Sequence, residues 1–368
     1  MRVDGRDVLM LAGANYLDLA GDPRVLEGAH RALEAHGAAA GGARLISGNV
    51  GVHEELEQRL AELALQPAAL LFSTGYMANL GVVTALCGPD DHVVSDALNH
   101  ASIIDACRLS GARTHVFQHN DPEDFERVAR ALPARGRRLL ITDGVYSMDG
   151  DVARLRELVP IARRHDFWIV VDDAHGIGAL GEQGRGVVEL EDVGVDVLIG
   201  NLGKALGSFG AFVTCSHLVR EWLINRARSF IFTCALAPSA AGAALAALDV
   251  LKAEPERRTR LAARAAQLRS GLTSAGLDTG LCQTQIVPLL LGASDPTMRI
   301  CERALERGIY AQGIRYPSVP EGTARLRLTP TSAHSEADID ECVEVLVELV
   351  REQSRAPGAE RAVNWGLA

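Results

Sequence analysis

Between residues 69 and 215 the chain alternates short apolar runs with amphipathic stretches, and this alternation limits the possible folds more than any other feature. Seven runs read as strands: Ala69–Ser73, His92–Ser95, Thr114–Phe117, Leu139–Thr142, Trp168–Asp172, Val195–Ile199 and Ala211–Cys215. Helical patterns such as VARLRELVPIARRH (152–165) lie between them, and HEELEQRLAELAL (53–65) leads into the series. Strands that alternate with helices build a mostly parallel sheet covered on both faces. After about residue 250 the texture changes. A charged helix at 256–272, the run TQIVPLLLG, a helix near 296–307, the run ARLRLTP and a last helix near 336–351 read as a smaller α+β domain. The predicted division is an N-terminal segment (1–45), a large α/β domain (46–245), a small C-terminal α+β domain (246–354) and a tail (355–368).

Composition removes several functional classes. A formal net charge of −10 with no basic run gives nucleic acid nothing to bind. The seven cysteines are odd in number and form no CxxC, which predicts reduced core thiols and a cytoplasmic protein. The first 21 residues lack a basic segment followed by a long apolar one, so no secretory signal is expected. Phe230–Leu248 carries no charge and is long enough to raise the question of a membrane span. It consists mostly of small residues and contains Pro238, so it reads instead as a short strand (230–233), a loop, and a helix starting at the proline.

Parallel sheets bind ligands beyond the carboxyl ends of their strands. Four expected strands end in residues that could do chemistry there. LLFSTGY ends in Ser73, Thr74 and Gly75; HVVSDALNH leads to Asp96 and His100; WIVVDDAHG carries Asp172 and His175; VLIGNLGK runs into Lys204 among glycines. Each also has an ordinary reading, as a helix cap, a turn cap, a structural histidine or a solvated lysine. Together on one rim, a lysine, an aspartate, a histidine and a helix start suit pyridoxal phosphate. The lysine would take the aldehyde, the carboxylate would keep the pyridine nitrogen protonated, and free N–H groups would hold the phosphate. Other motifs fail on context. GIGALG (176–181) matches a dinucleotide fingerprint but does not sit directly between a strand and a helix. No Walker loop or GxSxG occurs, and no His/Cys spacing suits zinc, so no metal is expected.

The motifs GGARLISG (41–48), HEELE (53–57), STGYMAN (73–79), NHASIIDA (99–106), TDGVYSMDGD (142–151), VDDAHGIGALGEQGRG (171–186), LGKALGSFG (202–210), FIFTCALAP (230–238) and VPEGTARLRLTPT (319–331) stand in order along the chain. In this the chain resembles the α-oxoamine synthases, pyridoxal phosphate enzymes of fold type I. The resemblance implies a mostly parallel seven-stranded large domain with a smaller α+β domain. It implies Lys204 as the Schiff-base lysine, Asp172 as the pyridinium partner, His175 near the phenolic oxygen, and His100 as the stacking histidine. Ser147 would lie beside the cofactor's oxygen, and Gly75 and Tyr76 would meet the phosphate. Thr233 would reach the phosphate from the other subunit of a homodimer, and Arg327 would clamp the amino acid's carboxylate. Arg325 shares a strand face with Arg327, and only the resemblance favours the latter.

The implied reaction is a decarboxylative Claisen-type condensation of a small amino acid with an acyl-CoA or acyl-carrier-protein thioester. Lys204 is expected to remove the α-proton. The segment GIRYPSVPEGTARLRLTPT (313–331), with Arg315, is similar to the 8-amino-7-oxononanoate synthase branch, which uses alanine. Glycine C-acetyltransferase-like, 5-aminolevulinate synthase-like and specialised-metabolism condensations remain alternatives, as does an aminotransferase on the same fold. The chain departs from the family pattern at Asn201, where a hydroxyl residue usually helps bind phosphate, at Cys234 beside Thr233, and at Asp18, where glycine is usual.

Overall fold

The computed structural model describes residues 1–3 and 5–355; the expected tail lies, from residue 356, outside the described residues. The chain divides into two compact units. One comprises Asp18–Tyr146 and Ala153–Pro255, the other Met1–Leu17, Ser147–Val152 and the chain from Glu256 on. This differs from the expected linear division, because residues 1–17 and 147–152 group with the C-terminal part. The physical reason lies in the hydrogen bonding: Leu9 and Leu11 donate to the carbonyls of Gly308 and Tyr310, and Gln283 and Thr284 donate to the Gly150 carbonyl.

The larger unit is built on seven strands: β1 (Ala68–Phe72), β2 (His92–Asp96), β3 (Arg113–Phe117), β4 (Arg138–Asp143), β5 (Phe167–Asp172), β6 (Val197–Asn201) and β7 (Ala211–Cys215). Their spatial order is β1-β7-β6-β5-β4-β2-β3. The pairs from β3 through to β6 are parallel, whereas β7 runs antiparallel to both its neighbours. Strands β1, β2 and β7 are buried at every position, as strands covered on both faces must be, while the edge strand β3 is mostly exposed. Helices Gly75–Leu86 and Ala101–Ser110 follow β1 and β2, and their Val82, Val83, Ile103 and Ala106 join Val93, Ile141, Val170 and Val197 in one apolar cluster. The chain leaves β2 toward β3 on one side and leaves β4 toward β5 on the other, so the carboxyl ends of β2 and β4 flank the point where connections diverge.

Each of the seven expected strands is present, with ends shifted by no more than two residues. One expectation is corrected. Residues 230–233 do not form a strand; a single helical turn spans Arg228–Ile231, with Ala227 as its cap. Of Phe230, Ile231 and Phe232, only Phe230 turns fully inward, where its ring meets Phe72 edge-on at 5.8 Å. A short apolar run does not by itself distinguish a strand from a buried helical turn. The helix from the proline spans Pro238–Ala253, and among the described residues no helix is long and apolar enough to cross a membrane.

In the smaller unit, β8 (Val287–Gly292), β9 (Gln312–Ile314) and β10 (Ala324–Leu328) form an antiparallel sheet in the order β8-β10-β9. Helices Glu256–Ser274, Ser294–Glu306 and Glu336–Arg355 bury Leu268, Leu272, Ile300, Ile339 and Leu346 in a cluster with Leu289, Leu326 and Leu328.

Two local features yield measurable consequences. Gly200 on β6 pairs with Phe212 on β7, whose ring lies where a Cβ at 200 would be. Gly200→Ala should lower stability by about 1–3 kcal/mol, read from the urea midpoint, because the ring has to move within a close-packed core. His53 is fully buried at the start of helix Gly51–Ala64; its Nδ1 accepts from Val50 N–H at 3.3 Å, and its Nε2 bonds the Leu236 carbonyl at 2.7 Å. Burial holds its pKa below the usual histidine range, with Arg44 acting the same way and the Leu236 carbonyl opposing. A histidine more acidic folded than unfolded costs stability as pH falls through its unfolded value of about 6.5. Urea unfolding at pH 7.5 and 5.5 should show a smaller acid loss for His53→Gln than for the parent.

Candidate active site

Strand ends, helix starts and one hairpin position the chemical groups of the larger unit. Strand β1 stops at Phe72, and Thr74 then caps helix Gly75–Leu86, its hydroxyl accepting from Met77 N–H at 3.1 Å. A Cβ built on Gly75 would lie 3.3 Å from Nδ2 of Asn201, the last residue of β6, so the helix start and that amide border the same space. Tyr76, in the first turn, is exposed and donates its hydroxyl proton to Asp105.

Asp172 ends β5 and is only 6% exposed. Its carboxylate accepts from Ala174 N–H at 3.1 Å and from the Asn79 side-chain amide at 2.6 Å. Across the parallel ladder it faces Asp143, the last residue of β4, in direct register. Asp143 accepts from the His100 backbone N–H at 2.9 Å, and its own N–H donates to the Asn99 side chain at 2.8 Å. Burial, then the neighbouring Asp172 charge, pushes the Asp143 carboxyl well above the usual range. His100 caps helix Ala101–Ser110 with its own ring, and desolvation, helped by Lys204 and opposed by Asp172, keeps its pKa low.

Lys204 lies in the hairpin between β6 and β7. The hairpin closes through Leu202 N–H to Gly210 O at 2.9 Å, Ser208 N–H to Leu202 O at 2.9 Å and Gly207 N–H to Lys204 O at 3.0 Å. Gly207 has φ +61°, and a Cβ there would strike the backbone of Leu19 and Ala20. The Lys204 amine stands 2.9 Å from His175 Nε2. His175 follows Asp172 by three residues, on a turn that Asp173 holds from beneath. Asp173 is fully buried, accepts from Val187 N–H at 2.7 Å, and packs so closely against Gly144, Gly176 and Gly186 that no side chain fits at those positions. Two glycines of GIGALG therefore serve carboxylate packing: Gly176 lies against Asp173 and Gly181 against Glu189.

Thr233 follows the helical turn Arg228–Ile231, in a segment fixed by Ala235 N–H to Gly42 O at 2.9 Å and by the Ser73 hydroxyl to Cys234 O at 3.3 Å. Ser147, Arg315 and Arg327 belong to the smaller unit. There Arg325 forms an ion pair with Asp149 and is 5% exposed, so its charge is already matched. Arg327 donates through Nε to the Ser147 carbonyl and also bonds the buried Tyr16 hydroxyl. Arg315, just beyond β9, is exposed. Sequence reasoning assigned no role to Asn79, Ser102, Asp143 or Tyr16. The first three stood inside quoted motifs, and their pairing across separate elements is what marks them out.

These residues fit pyridoxal phosphate. The buried Asp172 carboxylate suits a protonated ring nitrogen, the Lys204 amine is beside an imidazole, and the Gly75 helix start with the Asn201 amide offers donors to a phosphate. A family model described as aminotransferase class I and II matches residues 6–346. An 8-amino-7-oxononanoate synthase of Geobacter metallireducens is 47% identical over 351 residues, covering 94% of this chain and 90% of the relative. A variant of serine palmitoyltransferase from S. paucimobilis, solved with a bound PLP–myriocin aldimine, superimposes with a TM-score of 0.92 at 34% identity, over 95% of this chain and 89% of that one. An 8-amino-7-oxononanoate synthase from Francisella tularensis gives a TM-score of 0.82 at 25% identity, over 94% of this chain and 99% of that one. On sequence, fold and the chemistry of its strand ends, this chain belongs to the class I and II aminotransferase family and, within it, to the pyridoxal phosphate-dependent α-oxoamine synthases.

Proposed function

We propose that this protein condenses alanine with a pimeloyl-type acyl thioester, losing carbon dioxide and the thiol, as an 8-amino-7-oxononanoate synthase does. The observation that carries the reading is the 2.9 Å approach of the Lys204 amine to His175 Nε2, three residues beyond the buried Asp172. Bound pyridoxal phosphate would supply an electron sink for a carbanion at the amino acid's α-carbon. Asp172 would hold the proton on the ring nitrogen, its charge kept in place by the donors from Asn79 and Ala174. His100 would cover the ring face, and the Gly75 and Tyr76 backbone with Asn201 and Thr233 would hold the phosphate.

Lys204 would anchor the cofactor and then take the α-proton at Nζ. His175 would share that proton and orient the acyl carbonyl. Arg327 would bind the amino acid's carboxylate, assisted by Arg315, with Ser147 nearby. Arg325 is less suited, since Asp149 already neutralises it. The reading includes a cytoplasmic homodimer with active sites shared across its interface, consistent with seven unbridged cysteines and with the exposed Phe232 (70%) next to Thr233.

The deciding experiment crosses alanine, glycine and serine with CoA and carrier-protein thioesters, reading thiol and carbon dioxide release. Alanine with pimeloyl thioester should give the highest kcat/KM; amino-group transfer without thiol release would defeat the reading. Borohydride should fix the cofactor to Lys204, and Lys204→Ala should lower kcat by at least about 10²–10⁴-fold. In a second test, Arg327→Gln should raise the KM for the amino acid by about tenfold or more, whereas Arg325→Gln should act mainly on stability.

A further inference from the structure

Asn79 and Ser102 lie on different helices, Gly75–Leu86 and Ala101–Ser110, and both are buried, at 1% and 0% exposure. The Asn79 amide Nδ2 donates to the Asp172 carboxylate at 2.6 Å and to the Ser102 hydroxyl oxygen at 2.9 Å. The carboxylate only accepts, so the amide cannot be turned the other way without setting oxygen against oxygen. Its own Oδ1 has no partner, a cost accepted to keep Nδ2 in place.

Ser102 in turn stands against the His100 ring. Its hydroxyl lies 2.7 Å from His100 Nδ1, and its backbone N–H donates to the same nitrogen at 3.2 Å. A nitrogen that accepts from a backbone N–H carries a lone pair there, not a proton. The Ser102 hydroxyl, already accepting from Asn79, therefore donates its hydrogen to Nδ1. The ring proton is on Nε2 and the imidazole is neutral.

We propose that Asn79 and Ser102 are positioning residues that fix His100 as the neutral, Nε2-protonated tautomer and tie its orientation to the carboxylate of Asp172. The path runs from Asp172 through Asn79 and Ser102 to His100, and Asp143 returns from His100 N–H to the strand beside Asp172. The inference rests on the reading of His100 and Asp172 as cofactor contacts. A neutral ring can lie against a cationic pyridinium, whereas an imidazolium in that place would repel it. One chain of donors thus joins the carboxylate that would face the ring nitrogen to the imidazole that would cover the ring.

The test uses the pyridoxal phosphate-loaded protein with ¹⁵N-labelled histidine, His100 being identified by loss of its signals in His100→Gln. In the parent, Nδ1 should show the shift of an unprotonated nitrogen and Nε2 that of a protonated one. Ser102→Ala removes the shorter 2.7 Å hydrogen bond and leaves only the 3.2 Å backbone N–H on Nδ1, which should weaken the hold on the tautomer, move both signals toward a mixture and lower kcat/KM about tenfold. Asn79→Ala should do the same, and the double variant should fall no further than the weaker single, because both cut one path. A protonated Nδ1 in the parent, or losses that multiply in the double variant, would overturn the inference. Borohydride trapping on the same preparation reports separately on the proposed function: a parent that is not trapped at Lys204 sinks that reading, while the His100 tautomer still decides this one.

Discussion

A carboxylate taken out of water at the end of a strand needs donors, and most of the larger unit's site is organised by how Asp172 obtains them. Removing a charge from solvent without compensation costs far more than a domain can spare. Asp172 meets that demand with the Ala174 N–H two residues on and with an amide from a helix that begins after a different strand. The second donor has wider consequences. It ties helix Gly75–Leu86, whose start borders the Asn201 amide on β6, to the end of β5. The negative charge, the phosphate-type cradle and the histidine on the next helix are therefore not independent features.

Much of this was legible in the chain before any coordinates. The seven strands were readable because each is a short apolar run ending in a polar or glycine residue, and parallel strands buried on both faces leave that mark. Lys204, Asp172, His175 and His100 could be named because they occur just after such runs. The helical turn at Arg228–Ile231 was not readable, since FIF satisfies strand and turn alike and only packing on Phe72 separates them. Asn79 and Ser102 escaped for a different reason. Each is unremarkable at its own position, and their significance arises only where two helices from separate strands come side by side. The grouping of residues 1–17 with the C-terminal part was equally hidden, because it depends on backbone bonds between segments some 300 residues apart, which leave no periodic trace.

The two arginines of β10 show how partners within one unit divide apparently equivalent residues. Arg325 and Arg327 share a strand face, and both lie against the segment 147–149. One meets a carboxylate and the other a carbonyl and a phenol. A cation satisfied by neutral acceptors keeps its charge for something else, while a cation facing Asp149 does not. The division was open on spacing alone and depends on which acidic side chain the turn after Ser147 presents.

The antiparallel strand β7 has a consequence for how such a chain can change. Crossovers between parallel neighbours pass over the face of the sheet, so their lengths can grow or shrink at the surface with little effect on the rim. The connection holding Lys204 is instead a tight reversal, gripped on one side by Leu202 and Gly210 and on the other by Leu19 and Ala20 pressed against Gly207. One residue added or lost there would carry the amine away from its place 2.9 Å from His175 Nε2. The helical crossovers can absorb a change of length that this hairpin cannot, and the reach of the molecule's reactive nitrogen is set by counting residues in a single reversal.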